Sequence, residues 1–482
     1  QIYVANGKGL MSQANPQGPN PLKSPPATVQ QYIGGLFRGT LSVIAGPSPD
    51  DMGRYTETAY RASPLRADFS PVAEPAGDNH PVPGKPGQPS PIKYCIYVIK
   101  ENRTYDQVFG DMPEGNGEAD LCLFPEAVTP NHHALAREFV LLDNFYVESE
   151  VSADGHEWSM AAYATDFVEK SWPLVYRGGQ KKLDYPSEGA FAIARPAGGY
   201  IWDNCREANV SYRSYGEFIN NGPKVGDPSK AAVAALEGHF DPQFRGYDLD
   251  YPDVKRTARF VEELRGFEQA GEMPRFIVLR LPNDHTYGQR RGKPTPTAMV
   301  ADNDLALGQL VEALSKSKFW KELAMFVVED DAQNGSDHVD AHRTVALVIS
   351  PYCKRGSVDS SLYSTSSMLR TMELILGLKP MSQFDAAARP MYASFQSESD
   401  TRGYQHRPAG VDLQARNPDV GWAVEQSARL DFSREDAADD LLLNDIVWKS
   451  VRGPHSRMPP PVRASFVMVR PEEEEDDEDD GH

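Results

Sequence analysis

Residues 324–351 read AMFVVEDDAQNGSDHVDAHRTVALVISP, and they restrict the fold more sharply than any other stretch of the chain. An apolar run over 325–328 delivers Glu329, Asp330 and Asp331 to its end. Asp337, His338, Asp340 and His342 follow before a second apolar run over 345–349. The pattern predicts a strand, a site loop and a strand. Carboxylates at this density repel one another, so a partly buried set must take up protons or hold a cation. A bound metal is the simpler explanation. The alternative is a solvated acidic loop, which many protein surfaces carry.

A chain of 482 residues can bury a large core and leaves room for an accessory part. A hydrophobic content of 40%, with 21 Tyr and 20 Phe, argues for a folded protein. The formal charge of -20 argues against nucleic acid as the main partner, because phosphate backbones recruit basic surfaces. Part of the excess is local: residues 472–480 are an unbroken acidic run, expected to be disordered unless cations screen it. No apolar run is long enough for a membrane-spanning helix, and no signal peptide opens the chain. The first residue is Gln1 rather than Met, which reads as a processed product or an excised fragment. Cys95, Cys122, Cys205 and Cys353 lack CxxC spacing, which removes the usual zinc and redox readings. Cys95 and Cys353 read as buried thiols. Cys122 and Cys205 could pair in an oxidising compartment.

Residues 1–91 hold 15 of the 39 prolines, so a regular helical domain is not expected there; strand-like pieces stand at 2–6 and 40–46. From Ile92 the texture changes. A buried strand is predicted over 94–99, ending at Lys100, Glu101 and Asn102. A helix in HHALAREF, a strand over 140–147 and a helix over 156–167 follow. Residues 170–250 are rich in Gly, Pro and Tyr and read as an insertion that forms a lid or substrate wall. Val254, Ala258, Val261, Leu264 and Phe267 recur at helical spacing, with Gly271 as a stop. The strand RFIVLRL ends in Pro282, Asn283, Asp284 and His285; helices over 297–314 and 367–378 flank the opening strand pair.

This alternation predicts an α/β sandwich with a largely parallel central sheet flanked by helices, plus an irregular Pro-rich N-terminal arm. Polar groups cluster beyond the strands' carboxyl ends, where open α/β sheets bind ligands. Glu101, Asn102, Asp330 and Asp331 could meet there. An all-oxygen set of this kind favours Ca²⁺, with Mg²⁺ or Mn²⁺ next, over zinc. Of the scattered histidines, His285 and His338 lie nearest to strand ends and the acidic loop.

Three separated motifs carry a resemblance. ENRTYDQVFG (101–110), VSADGHEWSMAA (151–162) and EDDAQNGSDHV (329–339), helped by ALAREFVLLDNFYV, are similar to the bacterial phosphoesterase family of acid phosphatases and phospholipases C, within the alkaline phosphatase superfamily. The likeness spans roughly residues 92–380. It implies that Glu101, Asn102, Asp330 and Asp331 bind the metal and that Ser152 is the nucleophile. His285, or else His338, would protonate the leaving oxygen and activate water. His156 and the nearby helix N-terminus would hold phosphate oxygens, with Asp284 also on the substrate side. Without the likeness, Ser152 reads as a helix cap. Three positions depart from the family pattern. Ala332 stands where phospholipase-like members carry His, Asp331 where they carry Glu, and Gly155 where related phosphodiesterases carry Asn.

The two N-terminal strands resemble the closing blade of a β-propeller of the kind that precedes such domains, its other blades cut away or held by a separate chain. An extended arm is the other reading. The domain reading is therefore an N-terminal arm (1–91), a metal-dependent phosphoesterase domain (92–455) and a linker with an acidic tail (456–482). The expected function is hydrolysis of phosphoric esters, monoesters foremost, in a secreted or periplasmic protein. The alternatives are a phospholipase C-like phosphodiesterase, a sulfate or phosphonate esterase, and a non-catalytic calcium-binding surface protein.

Overall fold

A computed structural model describes residues 1–7, 36, 38–71, 73, 75, 77, 79–178 and 184–464. The chain divides into a small unit that includes residues 1–63 and a large one over 64–467. In the small unit, β1 (Ile2–Asn6) pairs antiparallel with β2 (Thr40–Ile44), from Ile2 against Ile44 to Asn6 against Thr40. A helix, α1 (Pro49–Ala62), then forms despite the proline content. Pro49 sits in the first turn, where its missing N–H is no loss. The Ser48 hydroxyl accepts the Asp51 N–H at 3.1 Å, and the Ser48 N–H donates back to Asp51 Oδ2 at 3.2 Å. The acidic run at 472–480 lies outside the described residues.

The large unit begins with β3 (Tyr94–Lys100), seven buried residues in a row. Next come α2 (Pro130–Glu138), β4 (Val140–Leu142), α3 (Ser152–Ala161), β5 (Tyr212–Tyr215) and α4 (Asp253–Ala270). The series continues with β6 (Phe276–Leu281), α5 (Pro296–Lys316), β7 (Leu323–Glu329) and β8 (Ala346–Ile349). It closes with β9 (Ser357–Asp359), α6 (Thr365–Leu376) and α7 (Asp440–Arg452). The seven strands order as β9-β4-β8-β7-β3-β6-β5, and only β8 runs against the rest. This is the mostly parallel α/β sheet that the alternation predicts. Among the helices, α4 packs on α5, and α3 on α6, which also touches β3. In-register pairing sets Lys100 beside both Glu329 and Leu281, so Glu101, Pro282 and Asp330 emerge at one edge.

Four local expectations shift. The predicted strand over 140–147 breaks at Asp143, and Phe145–Tyr146 pairs elsewhere, with Tyr363–Ser364. The helix expected from His156 begins at Ser152, so Ser152 is its first residue rather than its cap. The buried face of α4 is Asp253, Arg256, Thr257, Phe260 and Leu264, while Ala258 is exposed. Arg256 turns the helix inward because its guanidinium donates to the carbonyls of Arg245, Gly246 and Asp248. Within 170–250, β5 belongs to the main sheet rather than to a lid. All four cysteines are free and buried, including Cys122 and Cys205.

Candidate active site

The site lies where β3, β6 and β7 end. β3 passes into Glu101 and Asn102, β7 into Asp330 and Asp331, and the Asp330 N–H donates to the Lys100 carbonyl at 3.0 Å. Ser152 reaches this edge from the N-terminus of α3, and its hydroxyl donates to Asp331 Oδ2 at 3.0 Å. Asn102 Nδ2 donates to both Asp331 oxygens at 3.0 Å. Asp331 is thus the hub that orients both Ser152 and Asn102.

Gly155 explains how α3 comes so close. A Cβ there would stand 2.7 Å from the Asp330 carbonyl oxygen and 3.2 Å from its Oδ2. The side chain that related phosphodiesterases place at this position has no room here.

Several oxygens in the site have no donor. Glu101 Oε2, Asn102 Oδ1 and both Asp330 carboxylate oxygens are buried and unpartnered. Buried polar atoms are nearly always satisfied, so the orphaned oxygens of Glu101 and Asp330, which stand close together, suit a cation. Glu101, His156 and Asp330 offer ligand atoms within 4.8 Å of one another. The residues fit a hard divalent ion.

The electrostatics agree. Burial, then Asp331 and Glu101, push Asp330 well above the usual carboxylate range. Glu101 goes the other way, to about 2: burial raises it, but Arg280 and His156 pull it down by more. Arg280, the one charge in the strand FIVLRL, donates through Nε to Glu101 Oε1 at 2.8 Å. It also donates to Glu188 Oε1 at 2.7 Å and Glu435 Oε1 at 2.9 Å, and Nη2 lies 2.6 Å from His156 Nε2. His156 Nε2 stands 3.4 Å from Glu101 Oε1 and 3.6 Å from Asp330 Oδ2, with Nδ1 3.2 Å from Glu217 Oε2.

His285 is buried beside the site. Its Nδ1 faces the Thr286 carbonyl at 3.0 Å, and burial lowers its pKa so that the neutral ring predominates. Thr286 is held at φ 68, a left-handed conformation rare for a β-branched residue and typical of strained functional loops. Phe432 and Tyr247 meet the His285 ring edge to face at 6.2 and 5.9 Å.

Two residues expected at the chemistry stand elsewhere. Asp284 turns under the site, with Oδ2 2.7 Å from Lys100 Nζ and Oδ1 accepting the Glu101 N–H at 3.1 Å. Its carboxylate is thereby tied to Lys100 and to the Glu101 backbone. His338 is 32% exposed and binds Asp106 through Nδ1 at 2.6 Å, in a cluster with Asp337 and Arg343. Arg280, Glu188, Glu217, Glu435 and Asp436 also stand at the site, without having been legible as site residues in the sequence. The lone arginine in an apolar strand was the available signal for the first. The four acids carry no local signal.

The sequence profile of the Phosphoesterase family matches residues 118–379. This span contains Ser152, His156, Asp284, His285, Asp330, Asp331 and His338, while Glu101 and Asn102 lie just before it. No curated protein sequence matches the chain significantly. Among solved structures, a protein of the alkaline phosphatase superfamily from Vibrio parahaemolyticus is similar, at 15% identity and a TM-score of 0.44, covering 70% of this chain and 78% of that one. Human ectonucleotide pyrophosphatase/phosphodiesterase 5 is also 15% identical, at a TM-score of 0.31, covering 49% of this chain and 56% of that one. At these TM-scores the neighbours do not bear on the site. The profile spans more than half of the 482 residues, and by that match this protein belongs to the Phosphoesterase family, as a hydrolase of ester bonds.

Proposed function

We propose that the chain is a metal-dependent hydrolase of phosphoric esters, monoesters foremost, working through a phosphoserine intermediate on Ser152. The observation that carries this is the Ser152 hydroxyl held at 3.0 Å by Asp331, at the sheet edge where Glu101, Asn102 and Asp330 carry four orphaned oxygens. Glu101, Asn102, Asp330 and Asp331 would hold one divalent cation, Ca²⁺ by preference for an oxygen set, with Mg²⁺ or Mn²⁺ as alternatives. When bound, the ion supplies charge neutralisation for the serine alkoxide and the phosphoryl oxygens.

The protein's own groups divide the remaining work. Asp331 aims the Ser152 oxygen, which attacks phosphorus as the bond to the leaving oxygen breaks. His285 is suited to the proton transfers, since an Nδ1–H bonded to Thr286 leaves Nε2 free to accept one: it would take the Ser152 hydroxyl proton and pass it to the leaving oxygen. In the second half, His285 would take a proton from the water that attacks phosphorus and return it to the Ser152 oxygen as the bond from Ser152 to phosphorus breaks.

The test is hydrolysis of a chromogenic phosphomonoester by the purified chain, with and without chelator, beside Ser152→Ala, with metal content measured on the same samples. Activity should vanish with chelation and fall on the order of 10⁴-fold or more in Ser152→Ala. Metal-loaded protein that hydrolyses no monoester, diester or sulfate ester would sink the proposal.

A further inference from the structure

The segment 431–439, which leads into α7, crosses the site and carries two carboxylates into it. Asp436 Oδ1 accepts the Ser152 N–H at 2.9 Å, and its Oδ2 accepts the Ala153 N–H at 2.7 Å. Next to it, Glu435 Oε1 accepts from Arg280 Nη2 at 2.9 Å. Phe432 packs on His285 and, at 5.3 Å between ring centroids, on Tyr287. The Asp436 backbone is left-handed, at φ 55, and its carbonyl accepts the Arg177 N–H at 2.8 Å. One segment therefore touches the nucleophile's helix, the arginine on Glu101 and the histidine.

The place Asp436 occupies matters. Peptide N–H groups at a helix N-terminus are natural partners for phosphate oxygens, and the N–H groups of Ser152 and Ala153 are the donors at the Ser152 end of α3 that a phosphoryl group on Ser152 would use. A carboxylate offers two oxygens to the same two donors. Both cannot be served at once. Glu435 repeats the arrangement on Arg280, the cation nearest to Glu101 that could meet a phosphoryl oxygen.

We propose that segment 431–439 is a substrate-mimicking plug: Asp436 holds the peptide donors of Ser152 and Ala153 in place of a phosphoryl group, and Glu435 holds Arg280 likewise. The two acids then set the enzyme's affinity for phosphate, because each phosphoryl group must displace them. The apparent dissociation constant is the intrinsic one divided by the fraction of molecules with the plug withdrawn. This rests on Ser152 being the nucleophile.

The test uses the full chain, a chromogenic phosphomonoester, and inorganic phosphate as competitor. Asp436→Asn keeps the size but turns one acceptor into a donor that opposes a peptide N–H. It should lower the inhibition constant of phosphate and the KM about tenfold, with the fall in KM exceeding any change in kcat. Glu435→Gln should move both the same way, by less. If Asp436 is merely a cap that steadies α3, Asp436→Asn will leave both constants unchanged or raise them, with kcat and the melting temperature falling. That result overturns the plug.

Should Asp436→Asn fail to fold, Glu435→Gln decides in the same manner: a lower inhibition constant supports the plug, and an unchanged or higher one overturns it. Calorimetric titration of phosphate into Ser152→Ala, with and without Asp436→Asn, separates the two readings. Tighter phosphate binding with a still active Ser152→Ala sinks the nucleophile assignment alone. Unchanged phosphate binding with an inactive Ser152→Ala sinks the plug alone.

Discussion

One acidic loop supplies two clusters that end in opposite states. At its front, Asp330 is fully buried and neither carboxylate oxygen has a donor. Farther along, Asp337 is as deeply buried, yet its Oδ1 accepts from the N–H groups of Val339 and Asp340 at 2.9 and 3.1 Å and its Oδ2 from Arg343 Nη2 at 3.0 Å. Asp106 completes that cluster, taking Arg343 Nη2 at 2.9 Å and the His338 N–H at 2.8 Å. The difference is how fully the oxygens are served. Around Arg343 all four carboxylate oxygens of Asp106 and Asp337 accept hydrogen bonds and the acids become scaffold, whereas Arg280 serves Glu101 Oε1 and leaves Glu101 Oε2 and both Asp330 oxygens without a donor. Where oxygens are left without donors, they are free to hold a cation.

The sharpest way to break this contrast is to neutralise the unpartnered acid. Asp330→Asn should abolish stoichiometric metal binding in a calorimetric titration while leaving the metal-free protein as stable as before or more so, because burial, Asp331 and Glu101 already disfavour the Asp330 carboxylate when no ion is bound. Comparable destabilisation of Asp330→Asn and of the Arg343 cluster would erase the distinction. Arg343→Met is the matching experiment. It leaves Asp106 and Asp337 buried without their cation, and denaturant unfolding should report a loss of about 3–5 kcal/mol, with metal stoichiometry retained in the folded fraction.

Gly155→Ala probes the close packing of α3 on Asp330, which sets Ser152 against Asp331. Its Cβ would meet the Asp330 carbonyl at 2.7 Å, so the helix must shift; about 1–3 kcal/mol of stability should be lost, and kcat should fall with it. The smallest effect belongs to His342, at the far end of the same loop. A hydrogen bond to Glu150 outweighs burial and, with Asp340, raises its pKa to about 9. A histidine raised in the folded state stabilises fully below its unfolded value near 6.5, and that stabilisation is lost as pH rises through the folded value. The stability gap between wild type and His342→Gln should be constant below about pH 6, amount to under about 1 kcal/mol, and close as pH passes about 9. A gap that widened with rising pH would show that His342 is not held as a cation.

Much of the frame was legible residue by residue. YCIYVIK, FIVLRL and LAMFVVE read as buried strands because apolar runs of this length have few other fates, and all three are fully buried neighbours in one sheet. Glu101 and Asp330 were legible for the same reason, as the first polar residues past those runs. Ser152 was not: it was identified by its resemblance to a family motif, and its hydrogen bond to Asp331 spans 179 positions. His338 is the second choice after His285 from the sequence, since both lie among acids beyond apolar strands. Only packing put His338 with Asp106 and His285 beside Glu101. Asp284 looked like a substrate ligand until Lys100 claimed it.

The sequence by itself determined the strand and helix alternation, the edge where polar residues gather, and the presence of more acid there than a buried site can hold unaided. These are local properties, set by side-chain periodicity and by where an apolar run stops. The tertiary structure alone decided which acids receive a guanidinium and which keep bare oxygens. It also decided that Asp436, 284 positions from Ser152, sits on the first turn of the Ser152 helix. Charge pairing depends on distances between segments remote in the chain, and those distances exist only once the sheet has brought the strand ends together.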